Sequence, residues 1–245
     1  MKKTFVRGID WTFGALVRWI LRNWILHPLI RWQYQVTIIG AEHATSCTDG
    51  AIVVANHISR IDAPLIMSEA WPFARVRPVA WYAEYAHWLQ FPLMKLFGTV
   101  AVGSPKHLPK SEKERRKEKA LTIMDKILAA GRHILIFCEG AIGDNSKVVI
   151  PPTHVGVYEQ IARHPEKPVL LVNLDGLEFS RQGKRSKDIS FFTRLPVTIS
   201  LMRFDNVSLE GGAAGLNARL EQFYNEGIPL AVADAPRSTA CALTN

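Results

Sequence analysis

Short apolar runs alternate along this chain with longer stretches that have helical spacing. Seven runs rich in β-branched or other apolar residues, bounded by glycine, proline or polar positions, predict strands at 35–39, 52–54, 76–82, 99–102, 134–138, 168–173 and 197–204. Apolar residues spaced by three or four predict helices at 62–69, 84–97 (broken near Pro92), 111–130, 156–163 and 216–224. This alternation predicts an α/β fold: a mixed sheet flanked by helices, with active groups where strands end.

The first 33 residues predict an amphipathic helical segment. Arg18 and Arg22 interrupt the apolar run, so no stretch approaches the roughly 18 apolar residues that a membrane-spanning helix needs, and no signal-peptide cleavage site follows. One helical face carries Phe13, Leu16, Val17, Ile20 and Trp24. Tryptophans with interleaved arginines favour a helix lying in a membrane interface; the alternative is a helix packed on the protein's own core. His27-Pro28 is predicted to end or kink it.

Composition and charge narrow the class of protein. The chain has 245 residues, 48% of them apolar, which predicts one domain at 34–227; residues 228–245, rich in alanine, are predicted to be a disordered tail. The net charge of +8 suits nucleic acid, an anionic membrane surface or an acidic substrate, but no nucleic-acid-binding motif is present. Three widely spaced cysteines predict neither a disulfide framework nor a metal site, and favour a cytosol-facing location.

His57 and Asp62 form the first candidate site. His57 follows the apolar run at 52–54, and Asp62, with Pro64 after it, is typical of a helix start. This geometry can bring the carboxylate onto the imidazole, which would fix the tautomer and raise the basicity of the other ring nitrogen. The pair then predicts a general base for a hydroxyl proton; the alternative is a helix cap beside a loop histidine.

A second polar position, Glu139-Gly140, follows the strand at 134–138. Because strand ends in an α/β sheet share an edge, Glu139 and His57 can converge on one cleft. The alternative for Glu139 is a helix cap or a surface loop residue. No G-x-S-x-G nucleophile motif occurs in the chain.

Four stretches together resemble the glycerolipid acyltransferases, the lysophosphatidic acid acyltransferase family. Residues 56–62 resemble the first block, N-H-x-S-x-x-D, and residues 137–140 (F-C-E-G) resemble the third, F-P-E-G-T-R. Residues 98–102 resemble the second block, a glycine followed by an apolar strand. Residues 168–172 resemble the fourth, an apolar strand containing proline. Order and approximate spacing agree over about residues 35–200.

The resemblance implies acyl transfer from acyl-CoA or acyl carrier protein to the hydroxyl of a lysophospholipid, with no cofactor and no metal. His57 would be the general base and Asp62 its orienting partner. Glu139 resembles the residue that helps to hold the acceptor. Asn56, Ser59 and the amide of Gly140 are the nearby groups that would shape the acceptor site.

The chain departs from the family at two positions, where family members have arginines that bind the acceptor phosphate. Ser104 and Ile142 stand at or near those two positions, and neither replaces a bidentate guanidinium. A different acceptor, such as lyso-ornithine lipid or a lysophosphodiester, therefore stays open. So do a His-Asp thioester hydrolase and a non-catalytic peripheral membrane protein on the same scaffold. The predicted location is the cytoplasmic face of the inner or plasma membrane, peripheral or monotopic.

Overall fold

A seven-stranded sheet forms the centre of the protein, in the order β1-β7-β6-β2-β5-β3-β4. The computed structural model describes residues 16–17, 19–70, 75–85, 91–105, 107–143, 147–179 and 194–227. The strands are β1 (Tyr34–Ile39), β2 (Ile52–Ala55), β3 (Val76–Trp81), β4 (Val100–Val102), β5 (His133–Phe137), β6 (Val169–Asp175) and β7 (Leu195–Phe204). All seven predicted strands are present, so the predicted mixed α/β sheet is confirmed.

Five neighbouring strands, β6, β2, β5, β3 and β4, run parallel to one another, and their carboxyl ends therefore share one edge of the sheet. β7 pairs antiparallel with β6, and β1 pairs parallel with β7. At the centre, all four residues of β2 are buried. A strand covered on both faces needs apolar residues at every position, which explains the unbroken run from Ile52 to Val54.

Helices cover both faces of the sheet. They are α1 (His27–Gln33), α2 (Ala41–Thr45), α3 (Asp62–Ala70), α4 (Tyr82–Tyr85), α5 (Phe91–Phe97), α6 (Lys110–Ala129), α7 (Gly156–Arg163) and α8 (Gly212–Glu226). Apolar residues of α6, α7 and α8 build the core on one face, and α1, α2 and α3 contribute to the core on the other. The helix α2 has no counterpart among the predicted helices, because its five residues lie in a largely polar stretch.

The amino-terminal helix does not end at His27-Pro28, so the prediction of a helix end at this position is wrong. A π-helical turn (Leu21–Leu26) passes directly into α1, and Pro28 lies in the first turn of α1. Trp24, 72% exposed, and Leu16, 53% exposed, face outward, whereas Ile30 is buried in the core. The helix therefore packs on the domain with one side and exposes apolar residues on the other.

Several predictions lie outside the described residues: those for Phe13 and Arg18, and for the tail at 228–245. Within the described part of the chain, no helix is both long and apolar enough to cross a bilayer.

Candidate active site

His57 and Glu139 are neighbours at the carboxyl edge of the sheet. β2 and β5 pair in parallel with Ala55 opposite Phe137, so the residues two positions further on leave the sheet side by side. The amide of His57 donates to Glu139 Oε1 at 2.7 Å. The structure thus brings together the two strand-end positions that the sequence singled out.

Asp62 holds the imidazole of His57. Its Oδ2 lies 2.8 Å from His57 Nδ1 and also accepts hydrogen bonds from the amides of Ile58, at 2.7 Å, and Ser59, at 2.9 Å. Asp62 is the first residue of α3 and is fully buried. One carboxylate oxygen therefore fixes both the ring and the turn that carries it, and leaves Nε2 on the side of the ring away from the carboxylate.

Burial raises the pKa of the Asp62 carboxyl, and the hydrogen bonds from His57, Ser59 and Ile58 oppose that rise. Its other oxygen, Oδ1, is buried without a hydrogen-bond partner among the described residues. Desolvation disfavours the charged form, and the three hydrogen bonds to Oδ2 offset part of that cost.

Phe137 covers one face of the His57 ring. The two rings are stacked, with their centroids 4.3 Å apart and their planes inclined by 22°. Phe137 is the last residue of β5, and the parallel register with β2 places it beside the His57 turn. The stack therefore fixes one face of the imidazole, while the bond to Asp62 fixes its Nδ1 edge.

The turn after β5 depends on Gly140, whose φ of 68° lies in the left-handed region that favours glycine. A Cβ at Gly140 would also lie 2.7 Å from His154 Cε1. The Gly140 amide donates to Phe137 O at 3.2 Å, so it closes the turn. The predicted role of this amide in the acceptor site stays a prediction.

The other three residues predicted to shape the acceptor site, Asn56, Ser59 and Glu139, are buried. The side chain of Asn56 bridges β2 to β6: its Nδ2 donates to Leu174 O at 2.9 Å, and its Oδ1 accepts from Leu174 N at 2.8 Å. The Ser59 hydroxyl lies 3.4 Å from the amide of Ile61. Each of these side chains bonds the backbone near the site, and contact with an acceptor stays a prediction for all three.

Three contributors to this site are not among the residues that the sequence predicts for it: Phe137, Gly143 and His154. Phe137 belongs to the third block only as the end of its strand. The Gly143 amide donates to His57 O at 2.8 Å, and His154 packs against Gly140. The glycines flanking Ala141-Ile142 are the sequence feature that could have indicated these contacts, because glycine often marks a close approach of backbone.

Cys138 is a buried thiol next to Glu139. Burial raises its pKa well above the usual value, and the thiol contacts Ala55 O at 3.4 Å. A protonated, enclosed thiol is a poor nucleophile, so Cys138 is a small filler of the core. Among the residues that the structure describes, no group of three His, Cys, Asp or Glu side chains is placed to hold a metal ion.

The site thus consists of a buried Asp bonded to a His at the carboxyl edge of a mixed α/β sheet. The family model described as Acyltransferase matches residues 35–171, more than half of the chain, and the chain therefore belongs to this family. The protein is thus an acyltransferase, and the resemblance drawn from its motifs is confirmed.

A solved structure shares the fold. The 1-acyl-sn-glycerophosphate (LPA) acyltransferase PlsC from Thermotoga maritima matches with a TM-score of 0.56 and 20% sequence identity, over 89% of this chain and 86% of that one. The likeness at this identity concerns the fold. No curated protein sequence matches the chain.

Proposed function

We propose that this protein transfers a fatty acyl group from acyl-CoA or acyl carrier protein to the hydroxyl of a lysophospholipid that resembles 1-acylglycerol-3-phosphate. The single observation that carries the proposal is the bond between His57 Nδ1 and Asp62 Oδ2, at 2.8 Å. It fixes the tautomer that leaves Nε2 able to accept a proton. A thioester is already activated, so the chemistry requires a base for the alcohol and no protein nucleophile.

In the proposed reaction, Nε2 of His57 takes the proton of the acceptor hydroxyl while its oxygen attacks the thioester carbonyl. The new C–O bond forms, the C–S bond breaks, and the thiolate leaves and recovers the proton from the imidazolium. Asp62 stabilises the imidazolium as a neighbouring negative charge. Phe137 adds its ring face, 4.3 Å from the imidazole centroid.

A membrane surface is the proposed partner of the amino-terminal helix. Its exposed apolar side chains are Leu16, Trp19, Ile20, Trp24, Ile25, Leu29 and Trp32. A row of tryptophan and aliphatic residues on the outside of a helix suits the headgroup level of a bilayer. Such a contact would bring His57 to the lysolipids. The widely spaced cysteines favour a reducing compartment, and therefore the cytoplasmic face of the inner or plasma membrane.

The same helix is bound firmly to the catalytic domain. Glu69, buried in the last turn of α3, accepts from Arg31 at 2.5 Å and lies 3.1 Å from His27 Nδ1. Arg22 donates twice to Ser68 O, at 2.6 and 2.9 Å. Because Asp62 begins α3 and Glu69 lies near its other end, one helix links the proposed membrane contact to the catalytic pair.

The acceptor head group is the open part of the proposal. Ser104 and Ile142, both partly buried, stand where the family's phosphate-binding arginines would be expected. This favours, as a second candidate, an acceptor without a terminal phosphate monoester, such as lyso-ornithine lipid or a lysophosphodiester. The intact pair of His57 and Asp62 argues against a scaffold that has lost catalysis.

A radiolabelled acyl-CoA assay with liposomes tests the proposal. The acceptors are lysophosphatidic acid, lysophosphatidylethanolamine, lysophosphatidylglycerol and lyso-ornithine lipid, with acyl carrier protein as a second donor. We expect product with at least one acceptor and its loss in His57→Ala. His164→Ala is the matched control, because His164 also bonds a carboxylate, Asp125 at 2.9 Å. Release of free fatty acid without an acceptor product would support a hydrolase instead.

Liposome flotation tests the membrane contact. We expect Trp24→Glu to reduce binding to vesicles that contain anionic lipid and to reduce transfer to bilayer-bound acceptor. Val149→Glu is the control, since Val149 is also exposed, at 57%, but lies outside the amino-terminal helix. Equal binding of the two variants would contradict the proposed contact.

A further inference from the structure

The loop after β5, residues 139–143, binds both main-chain groups of His57. Glu139 Oε1 accepts from the His57 amide at 2.7 Å, and the Gly143 amide donates to the His57 carbonyl at 2.8 Å. The peptide groups on either side of the His57 Cα are therefore fixed by one neighbouring loop. Since they set the direction of the Cα–Cβ bond, this loop also sets where the imidazole points.

Glu139 is suited to this task by its burial and by its short bond. It is only 6% exposed, and its contact of 2.7 Å with the His57 amide is shorter than the usual N–H···O distance of about 2.9–3.0 Å. A buried carboxylate is costly unless it is paired or hydrogen-bonded. Hydrogen bonds to a charged acceptor are also stronger than those between neutral groups. This bond therefore fixes both the Glu139 carboxylate and the turn that carries His57.

Because Gly143 has no side chain, there is room beside it for the Glu139 carboxylate. A Cβ on Gly143 would lie 2.6 Å from Glu139 Oε2, so a side chain here would displace the carboxylate. Gly143 is not among the glycines with positive φ, and space rather than backbone conformation is therefore the reason for a glycine. Its second contribution is the hydrogen bond from its amide to His57 O.

We infer that Glu139 is a positioning residue that acts through the backbone of His57, rather than a ligand of the lysolipid acceptor. The inference rests on the proposed function, in which His57 is the general base. Asp62 fixes the ring and the amides of Ile58 and Ser59, while the 139–143 loop fixes the two main-chain groups of His57 itself. The two attachments are complementary, and the loss of either one misplaces Nε2.

Steady-state kinetics of two variants test the role. Glu139→Gln keeps an oxygen that accepts from the His57 amide, and Glu139→Ala removes it. We expect Glu139→Gln to keep kcat within about threefold, and Glu139→Ala to lose about ten- to hundredfold, since a misplacement near 1 Å can cost about a hundredfold. The acceptor KM is expected to change less than about twofold in both variants.

Glu221 provides matched controls, because its Oε1 also accepts from a backbone amide, that of Ile150 at 2.5 Å. Glu221→Gln and Glu221→Ala are expected to leave kcat unchanged. Three outcomes would overturn the inference: a raised acceptor KM in Glu139→Gln with kcat retained, full kcat in Glu139→Ala, or an equal loss of kcat in both Glu139 variants.

A double-mutant cycle with Gly143→Ala gives a second test. The added methyl should lower kcat in the wild-type background by displacing Glu139, and should have little further effect in Glu139→Ala, because the group it displaces is gone. Effects that simply add would contradict coupling through the carboxylate. If Glu139→Ala folds poorly, Gly143→Ala alone tests the same contact, because full kcat in that variant would contradict displacement of the carboxylate.

Amide hydrogen exchange separates this inference from the proposed function. The His57 amide should exchange about tenfold faster in Glu139→Ala than in the wild type, and at a nearly unchanged rate in Glu139→Gln. Unchanged protection in Glu139→Ala would overturn the inference. A wild-type protein that acylates none of the acceptors would overturn the proposed function, while the exchange rates would still report on the hydrogen bond.

Discussion

The imidazole of His57 lies against the ring of Phe137, with the ring centroids 4.3 Å apart. The contact exists because β2 and β5 pair in parallel with Ala55 opposite Phe137, so the turn after one strand folds over the end of the other. A neutral imidazole gains packing from this face, and an imidazolium also gains an attraction of about 0.5–2 kcal/mol. In the proposed mechanism, the stack would therefore stabilise the imidazolium more than the neutral imidazole.

The first prediction follows from this difference. Phe137→Leu should lower kcat about three- to tenfold with little change in the acceptor KM, because it removes the ring face but keeps an apolar side chain. Phe137→Tyr retains the face and should stay close to the wild type. Steady-state kinetics of the three proteins check this. Equal kcat values for Phe137→Leu and the wild type would show that the stack contributes packing alone.

Asp62→Asn should abolish most activity without lowering stability. The amide keeps the shape of the carboxylate but removes the charge that stabilises the imidazolium, so we expect kcat to fall about 10²- to 10⁴-fold. Asp125→Asn is the control, because Asp125 bonds His164 away from the site. Activity retained in Asp62→Asn would rule out an orienting carboxylate.

The stability of the wild type relative to Asp62→Asn should also depend on pH in a defined direction. Burial raises the pKa of Asp62 above its ordinary value of 3.8, so between the two pKa values the folded protein keeps a proton that the unfolded chain has lost. The free energy of unfolding of the wild type should therefore fall, relative to Asp62→Asn, as the pH rises above about 4. Urea titrations across this range measure the difference, and a change in the opposite direction would contradict the assignment.

His133 should make the protein less stable at mildly acidic pH. It begins β5 and is buried, and burial lowers its pKa from 6.5 to about 4. Because the unfolded chain binds the proton more readily between these values, this contribution to stability is present above pH 6.5 and is lost as the pH falls towards 4. Each pKa unit corresponds to about 1.4 kcal/mol.

Chemical denaturation at several pH values checks this prediction. His133→Leu should show a flatter dependence between pH 6.5 and 4 than the wild type, because the group that titrates is gone. His107→Ala, which alters an exposed histidine, should keep the slope of the wild type. A wild-type slope in His133→Leu would assign the acid sensitivity to other groups.

Asn56→Ala should destabilise the sheet by about 2–4 kcal/mol, because it leaves the buried amide and carbonyl of Leu174 without their partner. Asn225 bridges the amide and carbonyl of Val148 in the same way, at 2.8 and 2.9 Å, in a less buried place. Asn225→Ala should therefore cost less and leave activity unchanged. A raised acceptor KM with normal stability in Asn56→Ala would support direct contact with the acceptor.

The strands and most helices were predictable because each has its own local pattern. Four apolar residues from Ile52 to Ala55 form a strand buried on both faces, and the spacing of apolar residues in α7 predicted its bounds of Gly156 and Arg163. The short helix α2 carries no such pattern, so its position depends on what packs around it. Pro28 lies within a continuous helix, after a π-helical turn at Leu21–Leu26, and the local proline pattern did not predict this.

The sequence by itself determined the succession of strands along the chain, the His57–Asp62 spacing and the family resemblance, because these depend on residues close together in the chain or on recognisable blocks. Only the tertiary structure decided that Phe137 stacks on His57, that Asn56 bridges to Leu174, and that Glu139 and Gly143 bind the His57 backbone. These contacts join residues that lie far apart in the chain. Their partners follow from the parallel register of neighbouring strands, which no local pattern encodes.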